Sequence, residues 1–178
     1  DKDIVIIASP NFKKERISGS FGNFIIYYTK LPEDFIKRHS REVEDTINLF
    51  EDILGRWHLS GELYKTVYSP REKGQGGYSR NGMIVTSEGL VSDILKEEPD
   101  RSFLRGTAHE IAHFWWNFGS GQLDWINETF AEYFSLLAVE KILSKEQYDE
   151  YIKEYEVKVN EIPKDAPSLS KVDPINTE

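Results

Sequence analysis

The chain contains no cysteine among its 178 residues and only 1 methionine. The absence of cysteine excludes disulfide bridges and thiolate metal sites, but it leaves the compartment open, because disulfide-free proteins occur inside and outside cells. The chain also lacks a run of about 18 apolar residues, so no transmembrane segment is expected. Its first residues lack the basic-plus-apolar pattern of a signal peptide.

Basic residues are in the minority: 22 Lys and Arg stand against 31 Asp and Glu, which gives a formal net charge of −9. Nucleic-acid binding needs basic stripes that neutralise phosphates, and this sequence has none, so we expect no nucleic-acid partner. Hydrophobic residues make up 39% of the chain, which is an ordinary globular composition. At this length the sequence predicts one folded domain.

Short β-branched runs and one long amphipathic segment organise the first half of the chain. The runs at 4–8, 24–29, 63–68 and 83–86 predict strands. Between Pro32 and Gly55 the apolar residues recur at helical spacing, which predicts a long helix. The glycine-rich stretch 74–82 predicts a turn or a bulged sheet edge, where the backbone of a bound peptide can approach and pair as an added strand.

The second half of the chain is predicted to be helical. Helices are expected over about 100–117, 124–143 and 144–163. Asp100 or Ser102 is predicted to cap the first helix, and a capping box at Ser144 begins the third. The organisation predicted is a sheet-containing half at 1–99, a helical half at 100–162, and a loop or linker tail at 163–178.

The first of these helices carries the sequence His109-Glu110-Ile111-Ala112-His113. Two histidines four residues apart project from one face of a helix, and a pair of neutral imidazoles suits zinc. Glu110 lies between them and is placed to act as the general base toward water at the metal. Glu128 of the next helix can supply a third ligand and leave the fourth position open, as in catalytic zinc sites. Other transition metals also accept such ligands.

Glu132 lies one helical turn after Glu128. It is predicted either to hold a ligating imidazole in the correct tautomer through a hydrogen bond, or to be a surface carboxylate. Several other residues that can carry chemistry are predicted to be structural: Tyr148, Tyr151 and Tyr155 in a helical stripe, and the isolated histidines His39 and His58.

Residues 109–115 (HEIAHFW) and 125–131 (WINETFA) together resemble the gluzincin metallopeptidases, most closely the aminopeptidase N family. The corresponding motifs of that family are H-E-[LI]-A-H-x-W and W-L-N-E-G-F-A. Here 14 residues separate His113 from Glu128, whereas the family has about 18, so the loop between them is shorter by about one helical turn. The resemblance implies an α+β, thermolysin-like zincin catalytic domain, in which a mixed sheet with a long helix precedes a helical metal-binding half.

The resemblance also implies an activity. One Zn²⁺ ion held by His109, His113 and Glu128, with Glu110 as the catalytic base, would hydrolyse bonds in a peptide or protein substrate. Members of the family have further domains on both sides of this region, so flanking domains are expected in the parent protein, and this catalytic piece alone can be inactive. The family's oxyanion-stabilising tyrosine is expected beyond the last residue of the chain.

The glycine-rich stretch departs from the family pattern. The family has G-A-M-E-N before a strand, and Gly77-Tyr78-Ser79-Arg80-Asn81 occupies that place. The family's glutamate binds the α-amine of the substrate, whereas Arg80 repels an ammonium group and suits a carboxylate, either of a substrate or of an acidic residue in this chain. Gly76, Gly77, Tyr78 and Arg80 are therefore the predicted substrate-binding residues of an aminopeptidase-like enzyme with an altered preference.

Two other functions stay open from the sequence. Water activated by a metal attacks several carbonyl-like groups, so one alternative is a non-peptidase zinc hydrolase on the same scaffold. The other is a zinc-stabilised peptide-binding module that performs no chemistry. The unassigned oxyanion tyrosine favours this module, and the presence of Glu110 argues against it.

Overall fold

The computed structural model describes residues 6–56, 63–70, 78–80, 82–116 and 124–166. The chain divides into two compact units, Asp1–Phe103 and Leu104–Glu178. The first contains strands β1 (Lys13–Gly19), β2 (Gly22–Tyr28), β3 (Leu63–Ser69), β4 (Tyr78–Arg80) and β5 (Met83–Ser87), and helices α1 (Glu33–Leu54) and α2 (Glu88–Glu97). The described part of the second is helical: α3 (Leu104–Trp116), α4 (Asp124–Ala138) with a π-helical turn (Val139–Leu143), and α5 (Lys145–Glu161).

The sheet of the first unit is mixed, as predicted, and its strand order is β1-β2-β3-β5-β4. The strands β2, β3 and β5 run parallel, while β1 and β4 pair antiparallel at the two edges. In β2 the consecutive residues Phe24, Ile25 and Ile26 are all buried, which is typical of a strand covered on both faces. The architecture is therefore α+β.

The first strand lies elsewhere than the sequence pattern predicts. In the run 4–8, residues 6–8 form no regular structure, and residues 4 and 5 lie outside the described residues. The strand is instead β1, in which Ile17 is the buried residue and most of the others are exposed. An edge strand with exposed charges resists pairing with other chains, and with one buried side chain it shows no hydrophobic period. The prediction of a strand at 4–8 is therefore wrong for residues 6–8.

Helix α1 confirms the prediction of a long helix between Pro32 and Gly55. Pro32 is its N-cap residue, and Gly55 ends it at a φ of 78°, a conformation that favours glycine. His39 is 1% exposed. Its Nδ1 atom lies 3.2 Å from Glu42 Oε2, and its ring stacks on Phe35 at a centroid distance of 5.3 Å. His39 is thus a hydrogen-bonded core residue, as predicted, and His58 lies outside the described residues.

Helix α2 follows β5 directly and was not predicted. Ser87 caps it by accepting a hydrogen bond from Leu90 N at 3.3 Å. Glu88, the first helical residue, is 4% exposed. Its Oε1 atom accepts hydrogen bonds from the backbone N–H groups of Thr29, Lys30 and Leu31 at 2.8, 2.6 and 3.1 Å. A buried carboxylate therefore satisfies the backbone donors of the loop between β2 and α1.

Replacing Glu88 with alanine is expected to lower the free energy of unfolding by roughly 2 to 4 kcal/mol, because three backbone N–H groups, one in a buried and two in partly buried hydrogen bonds, lose a charged acceptor. Urea unfolding followed by circular dichroism measures this effect. Glu97→Ala, at the exposed end of the same helix, is the matched control and should stay within about 0.5 kcal/mol of the wild type. Equal stabilities for the two variants would contradict the role given to Glu88.

The helices of the second unit differ from the prediction mainly at their ends. Helix α3 begins at Leu104, so neither Asp100 nor Ser102 caps it. The hydroxyl of Ser102 donates instead to Glu42 Oε1 at 2.7 Å. The capping box is confirmed in one half: Ser144 Oγ accepts from Gln147 N at 3.2 Å, whereas the backbone N–H of Ser144 donates to Val139 O at 3.1 Å and not to the side chain of Gln147. The predicted tail 163–178 is described only as far as residue 166.

Across the described ranges, none of the helices is both long and apolar enough to cross a lipid bilayer.

Candidate metal centre

Helix α3 places His109 and His113 on one face. Their ring centroids lie 4.9 Å apart, and the rings are inclined at 82°. A second face of α3 is packed into the core, since Ala108, Ile111 and Ala112 are fully buried. This burial sets the rotation of the helix, so that the two imidazoles project together, as expected for residues four apart.

Helix α4 packs against α3 and brings a carboxylate to the two histidines. Trp116, at the end of α3, stacks on Phe130 and Phe134 of α4 at centroid distances of 5.1 and 4.7 Å. Ala131, between these two phenylalanines in the sequence, is fully buried, and such a small side chain allows two helices to approach closely. Residues 117–123 of the connection, in which the sequence is shorter than the family pattern, lie outside the described residues.

The carboxylate of Glu128 faces both imidazoles. Its Oε2 atom lies 3.1 Å from His109 Nε2, and its Oε1 atom lies 3.4 Å from His113 Nε2. Donor atoms around a tetrahedral zinc ion, with bonds of about 2.0 to 2.1 Å, are separated by about 3.3 Å. One donor atom from each of the three residues lies within 4.8 Å of the others. The donor set and its spacing therefore fit one zinc ion.

Glu132 forms hydrogen bonds with His109 and with two further residues, Arg105 and Tyr155. Its Oε2 atom lies 3.0 Å from His109 Nδ1. Its Oε1 atom accepts from Arg105 Nε at 3.1 Å and from the hydroxyl of Tyr155, to which Arg105 also donates. Glu132 is thus not a solvated surface carboxylate. Tyr155 was predicted to be a packing residue, and that prediction misses the polar role of its hydroxyl.

The pKa values of Glu132 and His109 reflect this network. Burial raises the pKa of Glu132, but hydrogen bonds with His109, Tyr155 and Arg105 outweigh burial and lower it to about 2. An ionised carboxylate only accepts hydrogen bonds, so His109 must donate through Nδ1. Burial lowers the pKa of His109, but the hydrogen bond to Glu132 and the neighbouring carboxylates raise it overall. The Nε2 atom that faces Glu128 is then the one available to a metal when the ring is neutral.

Glu110 lies on α3 between the two histidines and is partly buried. Burial raises the pKa of its carboxyl group, His109 opposes this rise, and Glu128 adds to it. The carboxyl group of Glu110 is therefore easier to protonate than an ordinary glutamate.

A cavity of about 580 Å³ opens beside His109 and Glu128. His109, Glu128 and Glu132 are among the polar residues that line it, and its apolar lining includes Leu136 of α4 and Ile152 of α5. A space in which polar groups lie beside apolar walls is typical of a site that holds a small molecule or a side chain.

The predicted substrate-binding residues are described only in part. Gly76 and Gly77 lie outside the described residues, as do the side chains of Tyr78 and Arg80. The backbone of Tyr78–Arg80 forms β4, which pairs antiparallel with β5 at the edge of the sheet. A sheet edge was one of the two predictions for this stretch.

Arg105 is the residue of the network that sequence reasoning missed. It precedes His109 by four residues on the same helix, so the spacing placed both on one face. Its partner Glu132 lies 27 positions further along the chain, and no local pattern indicates that contact.

No protein-family model and no curated protein sequence matches this chain. Solved structures do resemble it. The M1 zinc metallopeptidase from Deinococcus radiodurans matches with a TM-score of 0.53 and 17% sequence identity, over 85% of this chain and 33% of that one. A mutant of the metallopeptidase from the same organism, bound to a Tyr-Ser-Ala substrate, matches with a TM-score of 0.55 and 16% identity, over 85% and 33%.

The fold is that of part of an M1 zinc metallopeptidase. A structure of a two-domain M1 zinc metallopeptidase mutant bound to L-tryptophan matches in the same way, with a TM-score of 0.54 and 17% identity. The chain spans about a third of the length of these structures. At such identities the likeness shows the fold, and the chemistry must be argued from the residues themselves.

Proposed function

We propose that this chain carries the zinc centre of a peptidase of the gluzincin type, on a thermolysin-like fold. The observation that carries the proposal is the approach of Glu128 to His109 and His113, at 3.1 and 3.4 Å, in the spacing of zinc ligands. The fold of M1 zinc metallopeptidases supports it, including one structure bound to a Tyr-Ser-Ala substrate.

In this proposal each residue of the centre has one role. His109, His113 and Glu128 would hold one Zn²⁺ ion, while Glu132 orients His109. Zinc in such a site supplies a Lewis acid that makes water more acidic and polarises a carbonyl group. Glu110 accepts a proton from the attacking water and passes it to the amine that leaves.

Arg80 is proposed to set which substrates are accepted. In the aminopeptidase-like pattern a glutamate stands at this place, and it attracts the free α-amine of a peptide. A guanidinium there repels an ammonium group and favours a carboxylate or a blocked terminus. Gly76, Gly77 and Tyr78 are proposed to let the edge of the sheet pair with an extended peptide. The proposed substrate is therefore a peptide whose free amine is not required.

Hydrolysis of matched peptides with free and acetylated N-termini tests this function. The zinc-loaded chain is expected to cleave the acetylated peptides with the higher kcat/KM. Arg80→Glu is expected to raise the ratio of kcat/KM for free over acetylated peptides by at least about tenfold, because an attraction replaces a repulsion. Arg41→Glu, an exposed position on α1, makes the same charge change and should leave the ratio unaltered.

Three outcomes would contradict the proposal. Peptide binding without cleavage, both by the zinc-loaded chain and by a longer form of the protein that includes flanking domains, would favour a binding module. Cleavage of esters or other carbonyl compounds without peptides would favour a non-peptidase hydrolase. An unchanged ratio in Arg80→Glu would remove Arg80 from the substrate-binding residues and leave the zinc centre in place.

A further inference from the structure

We propose that Arg105 and Tyr155 are positioning residues of the metal centre: together they hold one oxygen of Glu132, so that the other oxygen fixes the orientation and tautomer of His109. The inference rests on the proposed zinc function. It concerns how the ring of His109 is oriented, and it assigns a role to two residues that are not among the proposed zinc ligands.

The two oxygens of Glu132 have separate partners. Oε1 accepts from Arg105 and Tyr155, whereas Oε2 lies 3.0 Å from His109 Nδ1. The last torsion of a glutamate side chain is broad, so a carboxylate bound only to His109 would turn readily. With Oε1 held by a guanidinium and a phenol, Oε2 keeps one direction. His109 is then held with Nδ1 as the donor and Nε2 toward Glu128, which lies 3.1 Å away.

Arg105 is itself held in place. It lies one helical turn before His109 on α3, so the ligand and its support share one rigid element. Its guanidinium carbon lies 4.6 Å from the centroid of the Tyr151 ring and 5.5 Å from that of Tyr155. Contact with these two rings orients the planar fork before it meets Glu132. A lysine at this position would keep the charge but could not donate in the same fixed geometry.

Tyr155 extends this support to α5. None of the residues of α5 is fully buried, and Tyr155 is one of those that are partly buried. The phenol of Tyr155 donates to Glu132 and accepts from Arg105, which places α5 in direct contact with the residue that orients His109. The last described helix is thereby part of the support of the metal centre.

Zinc affinity, measured by competition with a chromophoric chelator, tests the inference without depending on hydrolysis. Glu132→Gln is expected to weaken binding by about 10- to 100-fold, Arg105→Met by about 10-fold and Tyr155→Phe by about 3-fold, because partners of a ligating histidine contribute on this scale. Arg105→Lys should recover part of the loss. Lys158→Met removes a cation that lies 5.7 Å from the Tyr155 ring, and as the control it should stay within about 2-fold of the wild type.

A double variant separates positioning from an independent effect. If Arg105 acts through Glu132, Arg105→Met combined with Glu132→Gln should bind zinc within about 2-fold of Glu132→Gln alone. Nitrogen-15 NMR of the zinc-loaded protein should show a protonated Nδ1 on His109 in the wild type, with a weakened or exchanging Nδ1 proton in Arg105→Met. Circular dichroism and thermal melting check that each variant is folded. If Arg105→Met does not fold, Tyr155→Phe and Arg105→Lys decide.

The two proposals fail in different ways. If the wild-type chain binds no zinc, the proposed function is wrong and the inference falls with it. If the wild type binds zinc, and both Arg105→Met and Tyr155→Phe bind it as tightly as Lys158→Met, the positioning role is overturned while the zinc centre stands. Additive losses in the double variant would also overturn it.

Discussion

Glu110→Gln is expected to bind zinc as the wild type does and to lower kcat for peptide hydrolysis by roughly 10²- to 10⁴-fold, the usual contribution of a general base. The amide has the shape of the carboxyl group but cannot accept a proton from water near neutral pH. Glu110 is not among the three residues whose donor atoms converge, so the metal should be retained. Elemental analysis and steady-state kinetics on the same preparation measure both effects.

A variant that keeps its zinc content but loses peptide hydrolysis shows that Glu110 is a general base and not a zinc ligand. Glu146→Gln makes the same chemical change at an exposed position in the first turn of α5, and it should alter neither zinc content nor kcat. A Glu110→Gln variant that keeps its kcat would remove Glu110 from the reaction. Zinc lost together with activity would instead show that Glu110 supports the metal site.

The parts of the fold that the sequence predicts are those whose apolar residues form either a long periodic pattern or a short β-branched run. Helix α1 is such a case, because its buried residues recur with the helical period over 22 residues. In β1 the buried residue is Ile17, and in α2 they are Glu88, Val91 and Leu95. With one buried side chain, β1 shows no period. The three buried residues of α2 do have helical spacing, but the helix has only 10 residues and one of the three is charged, so its apolar pattern is short.

The sequence also predicts the local part of the site better than its long-range contacts. The positions of His109, Glu110 and His113 follow from spacing on one helix, so the sequence alone indicates them. The approach of Glu128 depends on how α4 packs on α3. The sequence offered Glu128 as a third ligand from the next helix, and the family pattern supported that choice. The contact of Arg105 with Tyr155 joins residues 50 positions apart. Such a contact is set by tertiary packing, which no short motif records.

His113→Ala is expected to abolish stoichiometric zinc binding and to weaken zinc affinity by more than about 100-fold. Loss of a residue that hydrogen-bonds to a zinc ligand typically lowers the affinity by about 10- to 100-fold, and loss of the ligand itself should lower it further. His113 is buried, and its Nε2 atom lies 3.4 Å from Glu128 Oε1. Alanine keeps the helix, since it has the highest helix propensity. Elemental analysis of the purified variant and chelator competition measure the loss.

A buried histidine outside the site provides the control for His113→Ala. His39→Ala also removes a buried imidazole, so it should lower stability, yet it should bind one zinc with wild-type affinity. Zinc at 100 times its dissociation constant stabilises a folded protein by about 2.7 kcal/mol. That increment should appear in the wild type and in His39→Ala and be absent in His113→Ala. If His113→Ala still gains it, the metal is bound elsewhere, and the arrangement of His109, His113 and Glu128 is not a zinc centre.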